Sequence, residues 1–181
     1  CNQILATDRN SIEAIKLIAK SFLATRKIED ARLYLYQALK MKPDDCEVIN
    51  DLGNTYQAVG DINNAKKYYQ KAIDINCSYA PALNNLGSIE LSKGNKKEAL
   101  SLLNKATESD PQLTPAWVNL ANSYVQSGQL QEAVLALRKT IELNPEFFQA
   151  HLNLGVILKD LGQLQDAELS LRKAIELNPD L

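Results

Sequence analysis

Apolar residues recur along this chain at the spacing of an amphipathic helix, in segments of roughly 14 residues separated by short polar turns. One such segment has apolar residues at Trp117, Leu120, Ala121 and Tyr124. Gly128 separates it from a second apolar segment, which stops before Pro145 because proline cannot continue a helix interior. The pattern therefore predicts two consecutive helices, each about 21 Å long.

The same pattern returns every 34 residues. Alanine recurs at this step: Ala31, Ala65, Ala99, Ala133 and Ala167. Glycine recurs at Gly60, Gly94, Gly128 and Gly162, with Arg26 at the same position of the first copy. Five copies follow without a gap, 12–45, 46–79, 80–113, 114–147 and 148–181, and residues 1–11 match the end of a preceding copy. Positions are numbered from 1 within each copy below, and its two predicted helices are called helix A and helix B.

This repeat resembles the tetratricopeptide repeat (TPR) family over essentially the whole chain. The fourth copy carries the family signature most fully, with Trp117, Leu120, Ala121, Tyr124, Ala133 and Pro145. Residues 161–179 are similar to the near-consensus repeats of long bacterial arrays. The resemblance implies an all-α solenoid of antiparallel helix pairs, stacked into a right-handed superhelix whose helices A line a concave groove.

Position 8 of helix A is small in every copy: Ala19, Gly53, Gly87, Ala121 and Gly155. Glycine inside a helix costs about 0.5–1 kcal/mol relative to alanine, so the choice calls for a tertiary reason. We predict that helices A and B approach closely here, with the recurrent alanine of helix B facing the small residue.

Asparagines recur on a different face of helix A. At about 100° per residue, positions 5, 6 and 9 point away from the apolar positions 4, 7, 8 and 11. Each amide offers both a donor and an acceptor, so a row of them can pair with the backbone of an extended peptide. A solvated polar face, or hydrogen bonds between neighbouring repeats, are the alternatives. The candidate peptide-binding residues are Asn50, Asn54, Asn84, Asn85, Asn119, Asn122 and Asn153, with Lys16 and Lys20 of the first copy.

The row is similar to the asparagine ladder in the TPR superhelix of the nucleocytoplasmic O-GlcNAc transferase, at Asn85, Asn119 and Asn153. Nothing in these 181 residues resembles a glycosyltransferase domain. Another branch of the family binds carboxylate-ended chaperone tails through cations and asparagines on three consecutive repeats. Lys16 and Lys20 match its beginning, but the following repeats lack the further cations, which argues against such a clamp.

Other reactive residue types form no site that the sequence predicts. His151 is the only histidine and takes the tryptophan position, so we expect a packing residue. Glu90 and Lys96 replace apolar residues near one turn and are expected to form a local, exposed ion pair. Cys46 and Cys77 are expected to be small apolar fillers. The sequence therefore predicts neither an enzyme nor a cofactor or metal site.

Composition limits the classes of partner and the cellular location that the chain is expected to have. The net charge is −2 and the basic residues are spread along the chain, which argues against nucleic acid as a partner. No apolar run approaches 18 residues, so no membrane span is expected. The three cysteines form no CxxC motif, which favours a reducing, cytoplasmic compartment.

The leading prediction is a protein–protein interaction scaffold that binds an extended peptide or a partner domain in the groove. The alternative is a substrate-recruiting module of a larger enzyme, for example a glycosyltransferase, whose catalytic domain is absent from this chain. We also expect the end surfaces around Leu164, Leu171 and Ile175, and around Ile4 and Leu5, to expose apolar residues and to support end-to-end self-association.

Overall fold

A computed structural model describes residues 11–179, which are helical apart from short turns. The helices of this range are α1 Ile12–Ala24, α2 Ile28–Met41, α3 Cys46–Ala58, α4 Ile62–Ile75, α5 Ala80–Ser92, α6 Lys96–Ser109, α7 Thr114–Gln126, α8 Leu130–Leu143, α9 Phe148–Asp160 and α10 Leu164–Leu177. Odd-numbered helices are helices A, with 13 residues each, and even-numbered ones are helices B, with 14. The predicted all-α helical-repeat solenoid is confirmed.

The chain divides after Ala82 into two compact units, and α5 crosses this division. In the first unit α1 pairs with α2 and α3 with α4, while α2 packs on α3. In the second unit α7 pairs with α8 and α9 with α10, while α6 packs on α7 and α8 on α9. Because only short turns join paired helices, each pair is antiparallel, and α2 and α8 each bury their apolar face against two helices A.

Local sequence signals begin and end the helices. The side chains of Ser11 and Asp45 accept hydrogen bonds from main-chain N–H groups in the first turns of α1 and α3. Pro115 lies in the first turn of α7, where its missing N–H has no cost. The four glycines between helices A and B have φ of +74° to +80°, and Arg26 adopts φ of +57° at the same position without glycine's freedom.

The small residue at position 8 has a different neighbour from the one predicted. A Cβ built on each of the three position-8 glycines would clash with the side chain at position 24 of helix B. The distance from this Cβ to the nearest side-chain atom is 2.4 Å for Gly53 and Tyr69, 2.8 Å for Gly87 and Leu103, and 2.6 Å for Gly155 and Leu171. The helices do approach closely here, but the nearest side chain is a large one. The recurrent alanine comes near through its main chain, since the Ala167 oxygen lies 3.1 Å from the Cβ built on Gly155. Glycine instead makes room for a large side chain, and the area that this side chain buries offsets the cost in helix propensity.

The predicted ion pair between Glu90 and Lys96 is also wrong. Glu90 is fully buried, and its Oε2 accepts a hydrogen bond from Asn95 Nδ2 at 2.6 Å. The Lys96 ammonium group donates instead to the main-chain carbonyl of Gln126. Position 11 lies on the apolar face of helix A, so its side chain enters the core, where a polar group requires hydrogen bonds.

Two further expectations need correction. Cys46 is half-buried, but Cys77 is exposed in the turn after α4 and is not a core filler, because its position is that of the proline that follows helix B in other copies. Leu171 is partly buried because it packs on Gly155.

Two other apolar residues of α10 are exposed as expected. Leu164 is 65% exposed and Ile175 is 56% exposed. Ile4 and Leu5 lie outside the described residues. End-to-end association stays a prediction.

Candidate functional site

The predicted peptide-binding residues lie on helices A, at positions 5, 6 and 9. We call the surface formed by these positions and their neighbours the helix-A face. Lys16, Lys20, Asn50 and Asn54 belong to the first unit; Asn84, Asn85, Asn119, Asn122 and Asn153 belong to the second. The structure places them in three different settings: ion pairs, buried amide contacts, and the borders of apolar pockets.

In the first unit the two lysines are engaged in ion pairs. Glu47 of α3 bridges the ammonium groups of Lys16 and Lys20, which lie one turn apart on α1. Lys16 Nζ also lies 3.5 Å from Oδ2 of Asp45, the residue that caps α3, so this side chain meets two carboxylates at the start of α3. A peptide carboxylate would have to compete with Glu47 for either lysine.

These ion pairs shift the protonation of Glu47. Hydrogen bonds from Lys16, which has the larger effect, and from Lys20 lower the pKa of the Glu47 carboxyl below its ordinary value of 4.5. A carboxyl group whose pKa is depressed in the folded state adds stability above the unfolded pKa, and this contribution is lost as the pH falls through the folded pKa.

We expect the urea midpoint of unfolding to fall more steeply between about pH 6 and about pH 3 in the wild-type chain than in Glu47→Gln. The side chain is 36% exposed, so solvent screens the effect and the difference should be modest. Urea titrations of both proteins at the two pH values measure it. Identical pH dependence in both proteins would show that the bridge makes no contribution.

The two asparagines of α3 take part in packing. Asn50 is only 5% exposed. Asn54 Nδ2 donates to Asp51 Oδ1 at 3.2 Å, and its Oδ1 lies 2.8 Å from the hydroxyl of Tyr69 on α4. Burial raises the pKa of Asp51. This part of the helix-A face is thus a polar network between helices.

In the second unit, asparagines of neighbouring repeats bond to one another. Asn119 Nδ2 on α7 donates to Asn84 Oδ1 on α5 at 2.9 Å, and Asn84 Nδ2 donates to Asn85 Oδ1 at 3.2 Å. Asn84 is 7% exposed. The bond between Asn119 and Asn84 matches the alternative of hydrogen bonds between neighbouring repeats. Asn50 and Asn84 are buried although position 5 points away from the apolar positions of its own helix, and α7 of the next repeat explains the burial of Asn84.

A pocket of about 360 Å³ lies between α7 and α9. Asn122 and Asn153 border it, and the rest of its lining is apolar: Ala121, Val125, Leu137, Leu152, Val156 and Ile157. Val125 and Val156 are 41% and 45% exposed. Within the described residues the Asn122 amide makes no side-chain hydrogen bond, while Asn153 Oδ1 accepts one from Gln149 Nε2 at 3.0 Å.

A second pocket, of about 390 Å³, lies nearer the start of α7. Its lining residues are Thr114, Pro115, Val118, Asn119, Asn144 and Phe147. No residue that lines either pocket carries a charge. The structure thus brings Asn119, Asn122 and Asn153 to the borders of two uncharged apolar pockets.

Sequence reasoning missed the apolar part of this site. Val118 and Val156 occupy positions 5 and 9, where other copies have asparagine, and Val125 occupies position 12 of the same face. An apolar residue at a position that is polar elsewhere in the array is a signal that could have found them.

Comparisons with known proteins agree with the fold. Family models of the tetratricopeptide repeat match residues 44–112 and residues 118–181, together well over half of the chain. The chain belongs to the tetratricopeptide repeat family. A comparison with curated proteins found no match to this sequence.

Solved structures are similar over 78% to 95% of their own length. MamA is 25% identical, with a TM-score of 0.75, over 90% of this chain and 95% of its own. PilF of Pseudomonas aeruginosa is 20% identical, with a TM-score of 0.85, over 94% of this chain and 78% of its own. YrrB is 22% identical, with a TM-score of 0.70, over 99% of this chain and 92% of its own. Among the helices of residues 11–179, none is both long and apolar enough to cross a membrane.

Proposed function

We propose that this TPR chain is a protein-interaction module and that the α7–α9 part of its helix-A face binds an extended segment of a partner protein. The observation that carries the proposal is the pair of uncharged apolar pockets bordered by Asn119, Asn122 and Asn153. Apolar concavities with a few placed polar groups are the usual form of ligand sites. The asparagine amides supply donors and acceptors for the ligand backbone.

The spacing of the pockets fits an extended chain. Val118 in one pocket and Val125 in the other are seven residues apart on α7, which corresponds to about 10 Å along the helix. In an extended polyproline-type chain, side chains three residues apart lie on the same side and about 9 Å from each other. The pockets therefore fit a segment that carries two aliphatic side chains three residues apart.

The charge of the site selects against ionised ligands. A charged side chain in either pocket would lose hydration without meeting an opposite charge, which is unfavourable. We therefore expect the ligand residues that enter the pockets to be uncharged. YrrB is a TPR protein with an unusual peptide-binding site, which supports peptide binding by a protein of similar fold.

Selection of peptides from a random displayed library on the immobilised chain tests the proposal. The selected peptides should share two aliphatic residues three positions apart, with no charge at either. Fluorescence anisotropy of one selected peptide should then show binding at least about tenfold weaker to Asn122→Ala/Asn153→Ala, because two lost hydrogen bonds suffice for that factor.

Asn63→Ala/Gln131→Ala is the matched control, since it removes two exposed amides from helices B. It should bind the peptide as the wild type does. A library that yields no binder, or peptides that bind the Asn122/Asn153 variant unchanged, would show that the pockets are not the binding site.

A further inference from the structure

A third concavity, of about 540 Å³, lies on the other side of α9, between α8 and α10. We call it the outer groove. Leu154 and Leu158 of α9 contribute to its apolar lining, and Arg138 of α8 and Lys173 of α10 contribute cations. None of its lining residues is shared with the pockets of the helix-A face. It is therefore a separate surface, with a different chemical character.

The preceding repeat fills the equivalent space with its own aromatic rings. One repeat earlier, Trp117 stands at the position of His151 and Tyr124 at that of Leu158. Both rings are partly buried and pack against apolar residues of α6 and of α8. In the outer groove, a smaller ring and an aliphatic side chain take their places.

His151 keeps the anchoring contact of the tryptophan. Trp117 Nε1 donates to the Pro111 carbonyl at 3.0 Å, and His151 Nε2 lies 2.9 Å from the Pro145 carbonyl. The two rings are therefore held at the same point of their repeats. Because the imidazole lacks the benzene ring of the indole, the outer groove is open where the preceding repeat is filled.

The first unit fills its equivalent groove in another way. The hydroxyl of Tyr36 lies 2.8 Å from that of Tyr56 and 3.0 Å from that of Tyr68, and the rings of Tyr56 and Tyr68 stack with centroids 5.3 Å apart. Three repeats later, these positions hold Arg138, Leu158 and Ser170, all of which line the outer groove. The outer groove thus lacks each of the three aromatic rings.

We propose that the outer groove binds an aromatic side chain, a tyrosine, of a partner protein. The other two grooves show which group this framework packs, since aromatic rings of the chain itself occupy them. In the first unit the Arg32 guanidinium lies 4.4 Å from the centre of the Tyr56 ring. Arg138 lies one helical turn further along its helix B than the position of Arg32, is 57% exposed at the outer groove, and provides a guanidinium for a cation–π contact with a bound ring.

Charge complementarity narrows the partner further. Arg138 and Lys173 outnumber the one acidic lining residue, Asp166. Lys173 also pairs with Glu176 at 2.7 Å, and both side chains of this pair are exposed to solvent, 41% and 68%. Arg138 and Asp166 lie 3.6 Å apart across the groove, and both are more than half exposed, so an incoming group can share the guanidinium. Acidic residues beside the tyrosine of the partner would therefore be attracted to this rim.

Titration of the isotope-labelled full chain with acetyl-Glu-Tyr-Glu-amide, followed by NMR, tests the proposal. Saturable shifts are expected at the backbone amides of His151, Ser170 and Lys173. Acetyl-Glu-Leu-Glu-amide tests the requirement for an aromatic ring, and acetyl-Lys-Tyr-Lys-amide tests the requirement for flanking acidic residues. Each should bind at least about threefold more weakly than acetyl-Glu-Tyr-Glu-amide. Equal binding of the leucine peptide would overturn the aromatic site, and equal binding of the lysine peptide would overturn the charge preference.

Two variants fill the outer groove from different helices. His151→Trp restores the indole of the preceding repeat, and Ser170→Tyr restores the position of Tyr68. Either variant, provided that it unfolds as cooperatively as the wild type, should bind acetyl-Glu-Tyr-Glu-amide at least about tenfold more weakly. Asn122→Ala/Asn153→Ala, on the other side of α9, should leave its affinity unchanged. Absence of saturable shifts, or full binding by a folded filled variant, would overturn the proposal.

Discussion

Gly53→Ala is expected to lower the free energy of unfolding by about 1–3 kcal/mol, although alanine is the better helix former. The added Cβ would lie 2.4 Å from Cε1 and 2.7 Å from Cδ1 of Tyr69. Tyr69 is fully buried and its hydroxyl contacts Asn54, so the ring cannot move aside freely. The gain in helix propensity, about 0.5–1 kcal/mol, is smaller than the expected cost of overpacking. Urea denaturation measures the difference.

A compensating change separates this clash from other effects of the substitution. Adding Tyr69→Leu to Gly53→Ala creates the pair of residue types that other repeats already use at these positions, Ala19 with Leu35 and Ala121 with Leu137. The double variant should therefore be more stable than the sum of the single effects, as a double-mutant cycle reveals. A Gly53→Ala protein as stable as the wild type would contradict the packing described here.

Ala133→Leu is the second substitution with a large expected effect, a loss of about 1–3 kcal/mol in the free energy of unfolding. Ala133 is completely buried on α8, in one cluster with Ala121, Leu137 and Leu154. The larger side chain adds volume where the interior is already close-packed, so neighbours must leave their preferred rotamers or the helices must separate. Thermal and urea unfolding of the purified variant measure the loss.

Glu132→Leu is the matched control, because it places the same new side chain at the adjacent, exposed position of α8. Surface substitutions of this kind usually stay within about 0.5 kcal/mol of the wild type. If Ala133→Leu and Glu132→Leu unfold at the same urea concentration, the close contact of α7 with α8 is not what limits stability at this position.

The two units differ in what their helix-A faces offer to a partner. In the first unit, Glu47 pairs with both Lys16 and Lys20, and Asp45 also pairs with Lys16, so the cations of the predicted site are engaged within the protein. In the second unit, the pockets between α7 and α9 are apolar and uncharged. A peptide with aliphatic side chains therefore meets fewer competing interactions on the second unit, which is where we propose that it binds.

The asparagines illustrate how far a repeat pattern can be interpreted without coordinates. Asn119 and Asn153 share position 6. Both border a pocket, but Asn119 donates a hydrogen bond to an asparagine of α5, whereas Asn153 accepts one from Gln149 of its own helix. Periodicity indicates the face on which a side chain lies, but it carries no information about which neighbour reaches that side chain.

The outer groove could not have been predicted from any single residue. His151 and Leu158 are ordinary members of an apolar helix face, and His151 was expected to be a packing residue. Its ring does hold a packing contact, at 2.9 Å from the Pro145 carbonyl. The concavity exists because three positions of the fifth copy, His151, Leu158 and Ser170, all lack the larger rings that other copies carry there, which only the assembled helices reveal.

The sequence by itself determined the helices, the 34-residue period and the positions of the turns. These features depend on local physics, namely the spacing of apolar residues, the φ values open to glycine and the missing N–H of proline. Only the tertiary structure decided that Tyr69 covers Gly53, that Glu90 is buried and that Asn84 lies under α7. Those outcomes depend on side chains that are distant in the sequence or that belong to other helices, whose size and reach the local pattern does not encode.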